Sequence, residues 1–388
     1  LPALDALSAW ARSSGFTRVV LSGMGGSSLA PEVIAAANRK ELTLLDSTHP
    51  VDVRLALEPD PKQSLFVLSS KSGTTLETLS HLKAICERLE IAQLPLKEHL
   101  IIISDPGSPL ENWAKERDIK FFPGVPEVGG RFSALSIFGL LPSALLGVDC
   151  AELLDDAADM KAILAAPVIN GEMNPAIALV HQIISNEPFL RLPSDPLSDW
   201  IEQLVAESTG KNQVGRLPVV AENSHNGREG SAFTIAFAGA ADLVVEGDLA
   251  SQFIVWEWVT ALVGAALAID PFNQPNVTEA KEQTSALLNE WKGVLPSFAA
   301  DVTDGAVEIF GAGNSATDAL TQLIGQIPAD GYIAIMAYLD RKDDAAVAEL
   351  RAILADKSGR PVTFGWGPRF LHSTGQFHKG GQQNGVFL

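Results

Sequence analysis

The first third of the chain repeats one unit: a short run of β-branched and apolar residues, a polar or glycine-rich corner, then a stretch of helical periodicity. Such runs fall at 18–22, 42–45, 65–69, 100–104 and 119–122, and they are apolar at consecutive rather than alternate positions. A strand apolar on both faces has to be covered on both, and parallel strands need helix-length crossovers between them. The pattern predicts a parallel sheet between two helical layers over residues 15–150, closed by a helix from about 132 to 146. Residues 151–170 read as an acidic helical connector. A second α/β unit follows over 171–388, with strands expected at 189–192, 217–220, 243–245, 332–339 and 362–364 and a helix over 197–206. The fold class expected is α/β, with two doubly wound domains, each a mostly parallel sheet flanked by helices.

Composition narrows the classes of function. Hydrophobic residues make up 46% and charged residues 19% of the 388 positions, the balance of a soluble globular protein. A net charge of −19 argues against a nucleic-acid or anionic-membrane partner. It does not exclude a small anion, because charge is screened over roughly 8 Å at physiological salt and the local charge of a pocket decides. Lys71, Arg131, Lys211 and Lys281 lie in or beside the motifs below, so a positive pocket in a negative protein is expected. Cys86 and Cys150 form no disulfide framework or metal-ligand spacing, which fits a reducing cytoplasm and no metal site. The apolar stretch 253–269 carries Glu257 and is short of the roughly 20 residues of a membrane span, so it reads as a core helix. The start at Leu1, with no Met and no signal-like segment, suggests a module of a longer polypeptide.

Three motifs carry chemistry. Ser70-Lys71-Ser72-Gly73-Thr74-Thr75 ends a buried strand and opens a helix, where backbone N–H groups and the helix dipole favour an anion. Four hydroxyls in that corner favour phosphate over an ordinary helix cap. Gly23-Met24-Gly25-Gly26-Ser27 occupies the matching corner of the first βα unit, and both corners fall at the carboxyl ends of strands, where α/β sheets gather ligands. Gln203, Glu207 and Lys211 are spaced four apart across a helix end, with Gln203 and Glu207 one turn apart on one face. A carboxylate at a helix C-terminus meets an unfavourable dipole, which raises its proton affinity and suits a general base. Arg131, after two glycines, offers a fixed cation for a developing oxyanion. A base, a cation and a phosphate cradle together are what a sugar-phosphate aldose–ketose isomerase needs.

GMGGSSLAP, SKSGTTLET, VGGRFSALS, Gln203-xxx-Glu207-Ser-Thr-Gly-Lys211 and Phe272-Asn273-Gln274-Pro275 through Lys281 resemble, in order, the motif series of the glucose-6-phosphate isomerase family. That family is built from two sugar-isomerase (SIS) domains. The ending, LHSTGQFHKGGQQNGVF, resembles the isomerase half of bifunctional transaldolase/glucose-6-phosphate isomerase proteins, which implies fusion to a transaldolase domain. The resemblance implies interconversion of glucose 6-phosphate and fructose 6-phosphate through a cis-enediolate, with Glu207 as base and Arg131 stabilising the enediolate. It further implies that Ser27, Ser70, Ser72 and Thr75 hold the phosphate, that Gly26, Lys71, Gln203 and Gln274 line the sugar site, and that Lys281 and a histidine open the ring. No cofactor is implied.

The histidine departs from the family order. The run Leu371-His372-Ser373-Thr374-Gly375-Gln376 lies after Lys281 rather than between the Glu and Lys motifs. His225 sits where the family order would put it, in unmatched surroundings; His372 is the expected ring opener, ahead of His225 and His378. A relocated histidine could serve its own chain's pocket, which leaves monomer and homodimer both open. Two other readings stand beside this one: a related isomerase accepting mannose 6-phosphate, and a non-catalytic sugar-phosphate-binding module. The stretch 294–321 matches nothing in the motif series.

Overall fold

In the computed structural model the described residues are 1–388 without 170, 222–231, 295 and 312. Strands β1 (Arg18–Gly23), β2 (Thr43–Leu45), β3 (Ser64–Ser69), β4 (Leu100–Ser104) and β5 (Lys120–Pro123) form one sheet in the order β2-β1-β3-β4-β5, with every neighbour parallel. The period-2 geometry of a strand divides their side chains between two cores. Leu21, Leu65, Val67, Ile101 and Ile103 pack under helices Pro2–Ser13 and Ile137–Leu145. Val20, Phe66, Leu68, Leu100 and Ile102 face Leu82, Ile85 and Leu89 of helix Leu76–Ile91. This is the two-sided burial that the unbroken apolar runs required.

The chain leaves β1 outward to β2 and returns past it to β3, so its direction across the sheet reverses between β1 and β3. Such a switch point opens a crevice at the carboxyl ends of the two strands. The glycine corner (a 3-10 turn, Gly25–Ser27) follows β1 and the hydroxyl loop follows β3, which puts both at that crevice. The closing helix begins later than expected. Gly130–Phe132 is a 3-10 turn and the α-helix runs Ile137–Leu145, because the Ser136 side chain accepts from Phe138 N and caps it there.

After helix Cys150–Leu164 comes a hairpin, β6 (Val168–Ile169) and β7 (Glu172–Met173). The later strands divide between two parallel sheets and one antiparallel pair. β8 (Phe189–Pro193), β9 (Leu217–Ala221), β10 (Ala232–Ala236) and β11 (Leu243–Val244) are parallel in the order β11-β10-β8-β9. A separate antiparallel pair, β12 (Val302–Asp304) and β13 (Val307–Ile309), lies within 294–321. β14 (Tyr332–Ala337), β15 (Val362–Trp366) and β16 (Gly385–Phe387) form the other parallel sheet, in the order β15-β14-β16. Phe189, Leu217, Val219, Tyr332, Ala334 and Phe377 form a cluster that joins the two.

Helix Pro196–Thr209 links the halves of the molecule. Asp195 caps it by accepting from Leu197 N, and proline occupies its first turn, where a missing N–H costs nothing. Its Trp200, Ile201 and Leu204 pack with Leu29, Val33 and Ile34 of the first unit and with Phe253, Trp256 and Val259 of helix Leu249–Ala266. The Trp200 and Phe253 rings lie 4.7 Å apart, edge to face. Among the described residues Leu249–Ala266 is the one helix long and apolar enough to cross a membrane, and 56% of it is buried within the protein.

Candidate active site

Helix Pro196–Thr209 delivers Glu207 to the crevice from its last turn. Gln203, one turn earlier and almost fully buried, donates from Nε2 to Glu207 Oε2 at 3.0 Å. The other carboxylate oxygen, Oε1, lies 3.1 Å from Arg131 Nη1. Each oxygen of the carboxylate is therefore held by a different neighbour.

Arg131 is buried and its guanidinium is fully occupied. Nε donates to Ser208 Oγ at 2.7 Å, and Nη1 to Gln274 Oε1 at 3.0 Å besides Glu207. Nη2 donates to the carbonyls of Pro271 at 2.6 Å and Asn273 at 3.1 Å. Five acceptors thus meet the five N–H donors of an arginine. Burial lowers the proton affinity of the guanidinium, and the charges of Glu207 and Asp270 oppose that. Lys211 ties the same elements together, with Nζ donating to the carbonyls of Ser208 at 2.8 Å and Asp270 at 2.6 Å. Burial, then the charge of Arg131, pushes its ammonium down to about 8.

The glycine corner is where these parts touch. A Cβ at Gly26 would overlap the Gly130 carbonyl, and one at Gly25 (φ +55°) would sit 2.5 Å from the His372 carbonyl oxygen. Only glycine lets the backbones of β1's corner, the Arg131 turn and the His372 turn approach this closely. Ser27 closes that corner and is buried.

In the hydroxyl loop Ser70 Oγ donates to Thr75 Oγ1 at 3.2 Å, and Thr74 N and Oγ1 both lie within hydrogen-bond distance of Ser72 Oγ. Thr75 is the N-cap of helix Leu76–Ile91 but its side chain makes no capping bond. The Thr75 hydroxyl thus does not compete for the helix's leading N–H groups, a setting that favours an anion. Gly73 has φ +67° and closes against Ser108. Lys71 turns its ammonium aside, to Asp105 Oδ2 at 2.5 Å and to the carbonyls of Val125 and Pro126 at 2.9 and 3.2 Å.

His372 ends the 3-10 turn Arg369–His372. Its carbonyl accepts from Gln203 Nε2 at 2.7 Å, and its Nε2 is 3.1 Å from Glu77 Oε1. That hydrogen bond holds the Glu77 carboxyl below the usual range against the opposing effect of burial, with the charges of His372 and Lys281 adding to it. Glu77 was not among the residues expected from the sequence, although it lies in the SKSGTTLET motif, in the first turn of its helix. Lys281 is exposed on helix Pro275–Trp291, close enough for its charge to act on Glu77. The N-terminus of this helix is held by the fully buried Gln376, whose Oε1 accepts from Asn276 N at 3.1 Å and Val277 N at 3.2 Å. His378 lies elsewhere. It stacks on Tyr332, shares a hydrogen bond between Nδ1 and the Tyr332 hydroxyl at 2.8 Å, and is pushed down to about 3, chiefly by burial. His225 lies outside the described residues.

The structure thus gathers Glu207, Arg131, Gln203, Gln274, Gly26 and His372 at one crevice, with Glu77 linking His372 to the neighbourhood of Lys281. Ser27 and Ser70 through Thr75 line the two strand-to-helix corners above it. Among the described residues no group of three or more His, Cys, Asp or Glu side chains converges to hold a metal ion.

Residues 8–211 match the profile of the Phosphoglucose isomerase family. A glucose-6-phosphate isomerase from Thermus thermophilus is 36% identical over 208 residues, which are 50% of this chain and 49% of that one. One from Campylobacter jejuni is 31% identical over 215 residues, covering 52% and 53%. A Synechococcus glucose-6-phosphate isomerase is 35% identical over 216 residues, covering 51% and 40%. The chain spans about half the length of the curated relatives it matches. Among solved structures, a hypothetical protein from Thermus thermophilus superposes with a TM-score of 0.65 at 24% identity, over 74% of this chain and 87% of that one. A glucose-6-phosphate isomerase from Chlamydia trachomatis gives 0.63 at 19% identity, over 75% and 73%. These two likenesses establish the fold.

Proposed function

The chain belongs to the phosphoglucose isomerase family, and from that premise we propose that it interconverts glucose 6-phosphate and fructose 6-phosphate with Glu207 as the base. The observation that carries this reading is the doubly held carboxylate: Gln203 on one oxygen and Arg131 on the other. A base fixed in this way keeps its lone pairs aimed at one point, so a proton taken from C2 can be returned to C1. The negative charge passes meanwhile to the two sugar oxygens, giving a cis-enediolate. The desolvated guanidinium beside it stabilises that charge, with an Nη1 donor passing from Glu207 or Gln274 to the sugar oxygen, an effect worth about 10²–10³ in rate for one good donor. Gln274, which shares Arg131 with Glu207, lines the same wall.

The phosphate would sit on the hydroxyls of Ser27, Ser70, Ser72 and Thr75 and on the uncapped start of helix Leu76–Ile91. Lys71 would contribute through its backbone N–H, its ammonium being engaged by Asp105. His372, oriented by Glu77 as a carboxylate orients an imidazole, would move the proton that opens the pyranose ring, with Lys281 opposite it. The pocket is completed by the chain's own histidine, so the site does not need a second copy, whether the protein is a monomer or a homodimer. We also propose a division into units at 15–150, 151–170 and 171–388, a cytoplasmic setting suited to the free thiols of Cys86 and Cys150, and fusion to a transaldolase domain.

The test is turnover by the purified chain. Fructose 6-phosphate, glucose 6-phosphate and mannose 6-phosphate are each supplied, and the products are separated. Interconversion of the first two, with mannose 6-phosphate inert, is expected. Tight binding of all three with no product would mean a sugar-phosphate-binding module instead, and conversion of mannose 6-phosphate would mean a broader isomerase.

A further inference from the structure

Three residues before His372, on the same short turn, lies Arg369, whose side chain is 12% exposed. Its Nη2 is 2.6 Å from Glu32 Oε2 and its Nη1 is 3.0 Å from Asp46 Oδ2. Glu32 belongs to helix Leu29–Ala37, which leads directly out of the glycine corner, and Asp46 follows β2. Arg341, from the loop after β14, approaches the same two carboxylates at 3.6 and 3.3 Å. Arg369 and Asp46 are largely buried, Glu32 and Arg341 are 30% and 34% exposed, and the charge of Asp199 also acts on Arg369. Burial alone would lower the proton affinity of Arg369; Glu32 and Asp46 reverse this and raise it above the ordinary arginine value. Burial alone would raise the carboxyl of Glu32; Arg369 first and then Arg341 outweigh it and hold that group low.

A 3-10 turn of four residues fixes little by itself. Its backbone bonds are Leu371 N to Pro368 O at 2.9 Å and Ser373 N to Phe370 O at 3.1 Å. What ties it to the rest of the protein is the buried Phe370, the His372 carbonyl on Gln203, and the Arg369 guanidinium across two elements of the first unit. The last combines a charge-assisted hydrogen bond to Glu32 with an ion pair to Asp46, whose Oδ2 accepts no hydrogen bond, so one fixed cation spans both elements. We propose that Arg369 is a positioning residue for ring opening: by clamping Glu32 and Asp46 it holds the His372 imidazole against Glu77. This rests on the assignment of His372 to ring opening. A cavity of about 230 Å³, lined by Glu202, Arg351, Trp366 and Arg369, lies beside the clamp, so a shorter side chain there meets open space rather than a clash.

The experiment compares two substrates. Glucose 6-phosphate must be opened, whereas 4,5-dideoxyglucose 6-phosphate has no hydroxyl placed to close a five- or six-membered ring. For Arg369→Met, kcat on glucose 6-phosphate falls by about 10–100-fold, part of the 10²–10⁴ that proton transfer contributes, while turnover of the open analogue stays within about threefold. Arg369→Lys recovers part of the loss, and Arg341→Met leaves the ratio of the two rates unchanged. Adding Arg369→Met to His372→Ala costs nothing more on glucose 6-phosphate, because the two act as one unit. Equal loss on both substrates, or an additive loss in the double variant, overturns the proposal. If Arg369→Met does not fold, Glu32→Gln weakens the clamp from its other end and must give the same selective loss; equal loss on both substrates overturns the proposal there too. A His372→Ala variant with no selectivity between the substrates would instead remove the ring-opening assignment itself.

Discussion

Replacing Arg131 by lysine keeps the positive charge and removes the fork. The guanidinium serves five acceptors: Glu207, Ser208, Pro271, Asn273 and Gln274. An ammonium has three donors and a different reach, so at least two buried acceptors lose their partner. Each such loss costs about 1–3 kcal/mol, giving a destabilisation of roughly 2–6 kcal/mol. The loss of a fixed oxyanion donor should lower kcat by about 10²–10³, equivalent to roughly 2.7–4 kcal/mol at the transition state. The two penalties are of similar size, so they have to be read separately. Thermal unfolding gives the first, and kcat measured well below the unfolding midpoint gives the second. KM should change little if, as proposed, the phosphate is bound by other groups. A lysine variant that keeps kcat within a few-fold, or one whose entire defect lies in KM, would refute the role given to this residue.

Gly26→Ala should fail to fold or lose most of its thermal stability, because the added methyl group would overlap the Gly130 carbonyl; expression and melting temperature report this directly. His378 should make the protein acid-sensitive. Its folded value of about 3 lies below the unfolded 6.5, so between these values the unfolded chain binds more protons, and stability falls as pH drops through that window. The loss from pH 7 to pH 5 is about 2 kcal/mol from this residue, and His378→Phe should remove that part of the slope in denaturant titrations at the two pH values. Gln376→Leu should leave Asn276 N and Val277 N without their acceptor at the start of the Lys281 helix, costing about 1–3 kcal/mol and lowering kcat on glucose 6-phosphate; melting and steady-state kinetics test both.

The first sheet was legible because its strands are buried on both faces and say so in unbroken apolar runs. β10 and β16 escaped, one lying directly after the polar stretch 222–231 and the other being three residues among Gly, Gln and Asn. A helix expected to begin at 132 begins at Ile137, where the Ser136 hydroxyl cap outweighs apolar periodicity. At the site, Glu207, Arg131 and Gln203 were readable because they lie on local motifs. Glu77 was not, since an acidic residue in a helix's first turn is ordinarily explained by the dipole alone. Lys71 shows the reverse. The family resemblance implied sugar contact for it, and Asp105, 34 residues on, takes the ammonium. Arg369 and Glu32 are 337 residues apart, and no spacing rule reaches across that interval.

The most direct measurement is hydrogen exchange at the sugar's C1 and C2 in Glu207→Gln, with fructose 6-phosphate in deuterated water. The amide keeps the shape and the bond to Gln203 or Arg131 but cannot accept the migrating proton. Exchange should fall by about 10²–10⁴, while affinity for 6-phosphogluconate stays within a few-fold of the unaltered protein. Exchange at the unaltered rate in that variant would mean that another group moves the proton, and the assignment of Glu207 would be wrong.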